Sequence, residues 1–257
     1  MHRVLIETEN RVAHLINNKP EVRNAFSMDF YDAMIPAVED AANSPEIGAI
    51  VISGAGGFFC AGGDVNRLAV AHELPFEERR AGVDRLHVLM RAIRACPKPV
   101  IAAVEGGAAG AGASLAAMCD LIVAHPTAYF MLAYVKIGIT PDGGATWSYT
   151  RALPRQLAAE MALTGGRLPA QRLYDCGMVN RLSEAAVPDA LAWAADLAQG
   201  ATGAMGEIKR LILAAEGDAL EAQFEAEAVA IATAMARPEG MEGTSAFLEK
   251  RKPDFHK

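Results

Sequence analysis

Cysteine is scarce in this chain and never clustered. Cys60, Cys96, Cys119 and Cys176 lie far apart, with no C-x-x-C and no histidine at ligand spacing beside them. A disulfide framework and a thiolate metal site are both disfavoured, and the four read as reduced core thiols. Positive charge is in deficit: 24 Lys and Arg stand against 31 Asp and Glu, a net charge of −7, so no basic field exists to hold a nucleic-acid backbone. Long apolar runs are missing too. The most apolar stretch, 100–124, is broken by Glu105, four glycines and Asp120, which argues for buried core over a membrane span. The first ten residues carry Arg3, Glu7 and Glu9 where a secretory signal needs an apolar stretch, so the expected location is cytoplasmic. The six histidines form no Ser/His/Asp or metal pattern; His14 and His125 read as structural.

What is present is bulk apolar material: 52% of 257 residues are hydrophobic, enough for one large domain, or one domain with a small appendage. Two β-rich runs, 4–9 and 12–16, flank Asn10-Arg11 as in an opening hairpin. Ser27 can cap a helix reaching about residue 42, with Phe30, Met34, Ala37, Val38 and Ala41 at helical spacing. An apolar strand at 49–53 empties into a glycine-rich loop, 54–63, and a charged, helix-rich stretch follows to about residue 95. A second buried strand, 100–104, again runs into glycines and then a helix, 113–118, before a third strand at 120–124. From about residue 191 the chain reads as mostly helical and carries no chemistry-bearing cluster.

The order strand, glycine loop, helix thus occurs twice, each time leaving backbone amides that side chains do not crowd. The second loop, 106–113, fits neither nucleotide template: Leu115 stands where G-x-G-x-x-G needs glycine, and Ala113 follows Gly112 where a P-loop needs lysine. Its small residues suit the presentation of an amide to an oxygen. The first loop, Phe58-Phe59-Cys60-Ala61-Gly62-Gly63-Asp64, has the same logic, and two such loops can place two N–H groups on one carbonyl oxygen.

Several blocks here resemble those of the enoyl-CoA hydratase/isomerase (crotonase) family and occur in the family's order: residues 18–25, 59–64, 97–106 and 136–144, then Leu163-Thr164-Gly165, Gly177-Met178-Val179 and the tail 247–253. The resemblance covers essentially the whole chain. It implies an α/β fold, a spiral of ββα units over residues 1–195, with a helical region at 196–257 that packs between the subunits of a homotrimer or homohexamer. It implies an acyl-CoA thioester as substrate, with no cofactor beyond the coenzyme A moiety and no metal. The thioester oxygen would sit between the amides of Gly63 and Ala111, with Ala61, Asp64 and Gly110 beside the substrate.

Hydratases of the family have two glutamates, one just after the second loop and one further along. Ser114 and Tyr134 stand at those positions here, and neither is a competent base at neutral pH. Asp142, in Thr140-Pro141-Asp142-Gly143-Gly144, is the remaining candidate. It matches the working aspartate of isomerases such as the ring-epoxide isomerase of phenylacetate degradation, the subgroup these blocks most resemble. One carboxylate and two amides suffice for a proton shift, and an apolar pocket would raise the pKa of Asp142. Tyr134 is expected to shape the acyl pocket, and Ser114 to cap its helix or contact ligand. Arg23 and Lys250 are expected near the CoA phosphates. Three alternatives stay open: a hydratase, an aryl-CoA dehalogenase-like enzyme using Asp142 with His87, and an inactive acyl-CoA-binding protein.

Overall fold

The computed structural model describes residues 3–64 and 74–215, together with 238, 242, 249, 251 and 253–255. Strands β1 (Val4–Glu9) and β2 (Val12–Asn17) form an antiparallel hairpin. Asn10 and Arg11 close it at φ 50° and 64°, the paired left-handed geometry of a two-residue hairpin turn.

After the hairpin the chain repeats one move. A strand is followed by a short extended segment and then by a helix. β2 leads to Phe26 and helix α1 (Met28–Asn43); β3 (Ala49–Gly54) leads to Cys60–Gly63 and α2 (Phe76–Ala95). β4 (Val100–Val104) leads to β5 (Gly107–Ala109) and α3 (Ala111–Met118); β6 (Leu121–Ala124) leads to β7 (Tyr129–Met131) and a 3-10 turn, Ala133–Ile137. The chain continues through α4 (Ala145–Ala152), α5 (Arg155–Thr164), β8 (Arg167–Pro169), α6 (Ala170–Asp175), β9 (Arg181–Leu182), α7 (Ala186–Ala198) and α8 (Thr202–Ala215).

Each turn adds its first strand to one sheet, ordered β1-β2-β3-β4-β6-β9 and parallel beyond the hairpin. The second segments build a smaller layer: Phe26 bridges Gly63, Cys60 bridges Ala108 in β5, β5 pairs with β7, and β7 with β8. The result is the expected spiral.

Because side chains alternate along a strand, the large sheet serves two cores. Leu15, Ile50, Ile52, Val100, Ala102 and Val104 face the helices α1 to α3. Val12, Ala49, Val51, Ile101, Ala103 and Val123 face α7, which presents Ala186, Ala190, Ala194 and Ala198 at a spacing of four, all fully buried. Small side chains on one stripe let this helix lie close. At its end a Cβ built on Gly48 would fall 2.8 Å from the Ala198 Cα. Helix α7 spans residue 195, so core packing crosses the boundary expected there. Beyond it α8 is tied down by Lys209, whose ammonium donates to Asp120 Oδ2 at 2.7 Å and to the Ile93 carbonyl at 3.0 Å.

Several boundaries differ from the expectations. Ser27 does sit at the start of α1, but its hydroxyl donates to the Asp29 carboxylate instead of meeting a backbone N–H. Within the charged stretch the described helix runs from Phe76 to Ala95; residues 65–73 lie outside the described residues. Asp120 is outside its strand, with its carboxylate accepting the Val100 N–H at 2.8 Å. Three cysteines are buried and Cys176 is half-buried, all with free thiols. Among the described residues no helix is long and apolar enough to cross a membrane.

Candidate active site

The two glycine loops lie on consecutive turns of the spiral, and main-chain bonds hold them in contact. Cys60 N–H donates to the Gly107 carbonyl at 3.2 Å and Ala109 N–H to the Cys60 carbonyl at 2.9 Å. Phe26 N–H donates to the Gly62 carbonyl, and Asp64 N–H to the Phe26 carbonyl. In this parallel bridge the flanking residues bond to Phe26, so the Gly63 N–H points the other way. Ala111 is the first residue of α3, where helical N–H groups have no partner within the helix. Neither the Gly63 nor the Ala111 amide donates to any described residue.

Two glycines make this approach possible. Gly62 has φ +95°, and a Cβ there would fall 2.7 Å from the Ala109 carbonyl oxygen and 3.3 Å from the Ala111 nitrogen. Gly110, with φ 51° and ψ −127°, turns the chain into α3 in a region that side chains disfavour. Beneath them Cys60 is fully buried, and its sulfur accepts the Gly62 N–H at 3.3 Å. Burial pushes this thiol up to about 12, so it serves as a neutral anchor.

A cavity of about 400 Å³ opens at these loops. Ala61, Gly63, Asp64, Gly110 and Ala111 line one side, Tyr134 and Asp142 another, and Leu86, Ile137 and Ile139 add apolar walls. The expected site residues on the two loops therefore share one space with the expected carboxylate. A larger hollow of about 540 Å³ lies at the far end of α3, between Trp147 and α8. Its ion pair, Lys209 with Asp120, is spent on holding α8.

Asp142 is half-buried. Loss of solvation raises its carboxyl above the ordinary range, opposed by a hydrogen bond from Tyr134 and by the nearby His87 of α2. The Tyr134 hydroxyl donates to Asp142 Oδ1 at 2.7 Å, and Ser114 Oγ lies 3.0 Å from the Tyr134 hydroxyl. Ser114 also reaches the Asp142 main-chain carbonyl at 3.0 Å. That carbonyl closes a tight turn onto the Ala145 N–H at 3.1 Å. Gly143, at φ +59°, allows the close approach: a Cβ there would fall 3.0 Å from the Ser114 Cβ.

Ser114 needs correcting as a helix cap. Gly110 holds the N-cap position, and Ser114 lies inside α3, fully buried and off the cavity wall. Its partner is the Tyr134–Asp142 pair. Arg23 is exposed and also off the cavity; its guanidinium lies over the Phe58 ring at 5.6 Å, and its carbonyl accepts the Ala61 N–H. Lys250 lies outside the described residues. His14 is buried against Ser53, 2.7 Å away, and His125 pairs with Glu184 at 3.0 Å. Among the described residues no cluster of His, Cys, Asp and Glu could hold a metal ion.

The Ser114–Tyr134–Asp142 chain escaped the sequence reading, although a signal existed. Both hydroxyls occupy the two positions where the resemblance places converging carboxylates, so they had to meet.

Fold and site together define a crotonase-type spiral whose cavity lies between consecutive turns. The chain belongs to the enoyl-CoA hydratase/isomerase family: that family's model matches residues 7–257, which makes this an acyl-CoA enzyme. It is 35% identical to the 1,2-epoxyphenylacetyl-CoA isomerase of Escherichia coli, over 99% of this chain and 98% of the relative. It is 33% identical to the 2,3-dehydroadipyl-CoA hydratase of the same organism, over 99% of each. The crystal structure of an enoyl-CoA hydratase from Polaromonas sp. JS666 superposes with a TM-score of 0.95 at 42% identity, covering 98% of both chains.

Proposed function

We propose that the chain is an isomerase that moves a proton on a β,γ-unsaturated or ring-derived acyl-CoA. In this reading the Gly63 and Ala111 amides hold the thioester oxygen while Asp142 takes a proton from carbon and returns it elsewhere on the acyl chain. The C–H electron pair passes into the thioester enolate, and two N–H donors stabilise the charge that develops on oxygen.

The observation that carries the reading is the position of Asp142. It faces the same cavity as two unused amides, and its acid form is favoured by burial, as a base working near neutral pH requires. Ser114 and Tyr134, at the hydratase glutamate positions, are engaged with this carboxylate. Likeness to an epoxyphenylacetyl-CoA isomerase supports the same class. Arg23 and Lys250 remain candidates for the CoA phosphates, and residues 196–257 for assembly into a trimer or hexamer in the cytoplasm.

Hydration of an enoyl-CoA is the second reading, favoured by the likeness to a dehydroadipyl-CoA hydratase. Absorbance of the conjugated thioester separates the two, because it grows when a β,γ-unsaturated acyl-CoA isomerises and falls when crotonyl-CoA takes up water. Fast loss of the crotonyl-CoA signal, unchanged in Asp142→Asn, would sink the isomerase reading.

A further inference from the structure

Asp142 lines the cavity, and its two carboxyl oxygens are held differently by the residues around it. Oδ1 accepts the Tyr134 hydroxyl at 2.7 Å, whereas Oδ2 receives no hydrogen bond from any other described residue. Behind Tyr134 stands Ser114, which has one proton and three oxygens in reach: the Tyr134 hydroxyl and the Asp142 carbonyl at 3.0 Å, and the Gly110 carbonyl at 3.4 Å.

We propose that Tyr134, backed by Ser114, is a positioning residue that fixes Oδ1 so that Oδ2 works on the substrate, and that reorients its hydrogen bonds whenever Asp142 gains or loses a proton. With Asp142 ionised, Tyr134 donates to Oδ1 and Ser114 donates to Tyr134 or to a main-chain carbonyl. When Oδ2 takes the substrate proton, one C–H bond breaks, one O–H bond forms and the pair moves into the enolate. Oδ1 then becomes a weaker acceptor. The Tyr134 O–H can turn to Ser114 Oγ while Ser114 donates to the Asp142 carbonyl, so no buried hydroxyl is stranded. Return of the proton to the second carbon restores the first arrangement. Tyr134 keeps its own proton throughout; burial beside Asp142 raises its phenol well above the usual value.

The catalytic half of this inference rests on the isomerase reading, whereas the relay itself does not. Among the described residues, the other charged or titratable groups near Asp142 or on its cavity are His87, Glu78 and Arg79 from α2, Tyr31 from α1, Asp64 from the first amide loop, and Lys136 beside Tyr134. All are untouched by the variants below.

Two measurements test it. Carbon-13 NMR of labelled aspartate, with Asp142 assigned by its loss in Asp142→Asn, follows the carboxyl through a pH titration in the resting protein. Tyr134→Phe removes a donor to the charged form, so Asp142 should titrate at higher pH, with Ser114→Ala shifting it the same way by less. In turnover, Tyr134→Phe should lower kcat by roughly tenfold to a hundredfold with KM little changed, and the acid limb of kcat should move up in pH. A merely structural tyrosine would leave both titrations where they were. An unmoved Asp142 titration in Tyr134→Phe overturns the relay; a moved titration with kcat within about twofold of wild type overturns its part in catalysis. Should Tyr134→Phe not fold, an unmoved titration in Ser114→Ala overturns the relay. If wild type turns over no thioester, the isomerase reading fails while the NMR titration still decides the hydrogen-bond chain.

Discussion

The Tyr134 hydroxyl and Asp142 Oδ1 stand 2.7 Å apart, and the bond opposes the environment around it. Burial favours the protonated acid, whereas the phenol favours the carboxylate. A base that must both take and release a proton is served by such a balance, because either extreme would trap one form.

Replacing Asp142 by Asn keeps an acceptor for Tyr134 and removes the base. Turnover should fall by about 10²–10⁴. Calorimetric titration with a non-reacting CoA ester should give an affinity close to wild type, and unimpaired turnover would end the assignment.

The same substitution should affect stability in the opposite sense. Asp142 has its acid range raised on folding. Below the unfolded carboxyl pKa, near 3.9, both states hold the proton and the group is neutral in effect. As pH rises through the window up to the folded value, the native state keeps a proton that the unfolded chain has released, and stability declines. Asp142→Asn should therefore raise the Tm relative to wild type at pH 7 by a few degrees, with the gain disappearing in acid. An equal difference at both pH values would contradict this.

Gly62→Ala tests the contact between the two amide loops. Its Cβ would fall 2.7 Å from the Ala109 carbonyl oxygen on a backbone at φ +95°, so the loops must part. Loss of one oxyanion donor lowers kcat by roughly 10²–10³ in other enzymes, and a fall of that size is expected. A variant with full activity would show that the amides act independently.

Lys209→Met leaves Asp120, whose acid range burial already raises, without its cation. Removing one partner of a buried pair costs about 3–5 kcal/mol, and the lower end applies because the Asp120 side chain is 26% exposed. Urea unfolding would measure it. Since α8 lies away from the acyl cavity, kcat for the folded fraction should hold.

Much of the large sheet was readable in the sequence. Val100–Val104 is a continuous β-branched and small apolar run, which only a doubly covered strand accommodates. Gly107–Ala109 was not readable, because glycine and alanine have no preference for extended backbone; β5 is a strand only because Cys60 and β7 flank it. The same limit applies to the site. Asp142 and the two amides followed from the resemblance, since main-chain donors tolerate Gly63 and Ala111 alike. For Ser114 the sequence suggests a helix cap or a ligand contact, because serine so often starts helices, yet Gly110 takes the cap position and the hydroxyl turns to groups 20 and 28 residues away. Such partners belong to tertiary structure and leave no periodic trace.

The bridges Phe26–Gly63 and Cys60–Ala108 have a consequence for how this protein can change over time. They are written in peptide groups, so exchange of the side chains at 114, 134 and 142, which take no part in either bridge, leaves the proposed grip on a carbonyl in place. On the proposed reading, residues 114, 134 and 142 can change as a set, and the reaction with them, while the pair of amides is inherited unaltered.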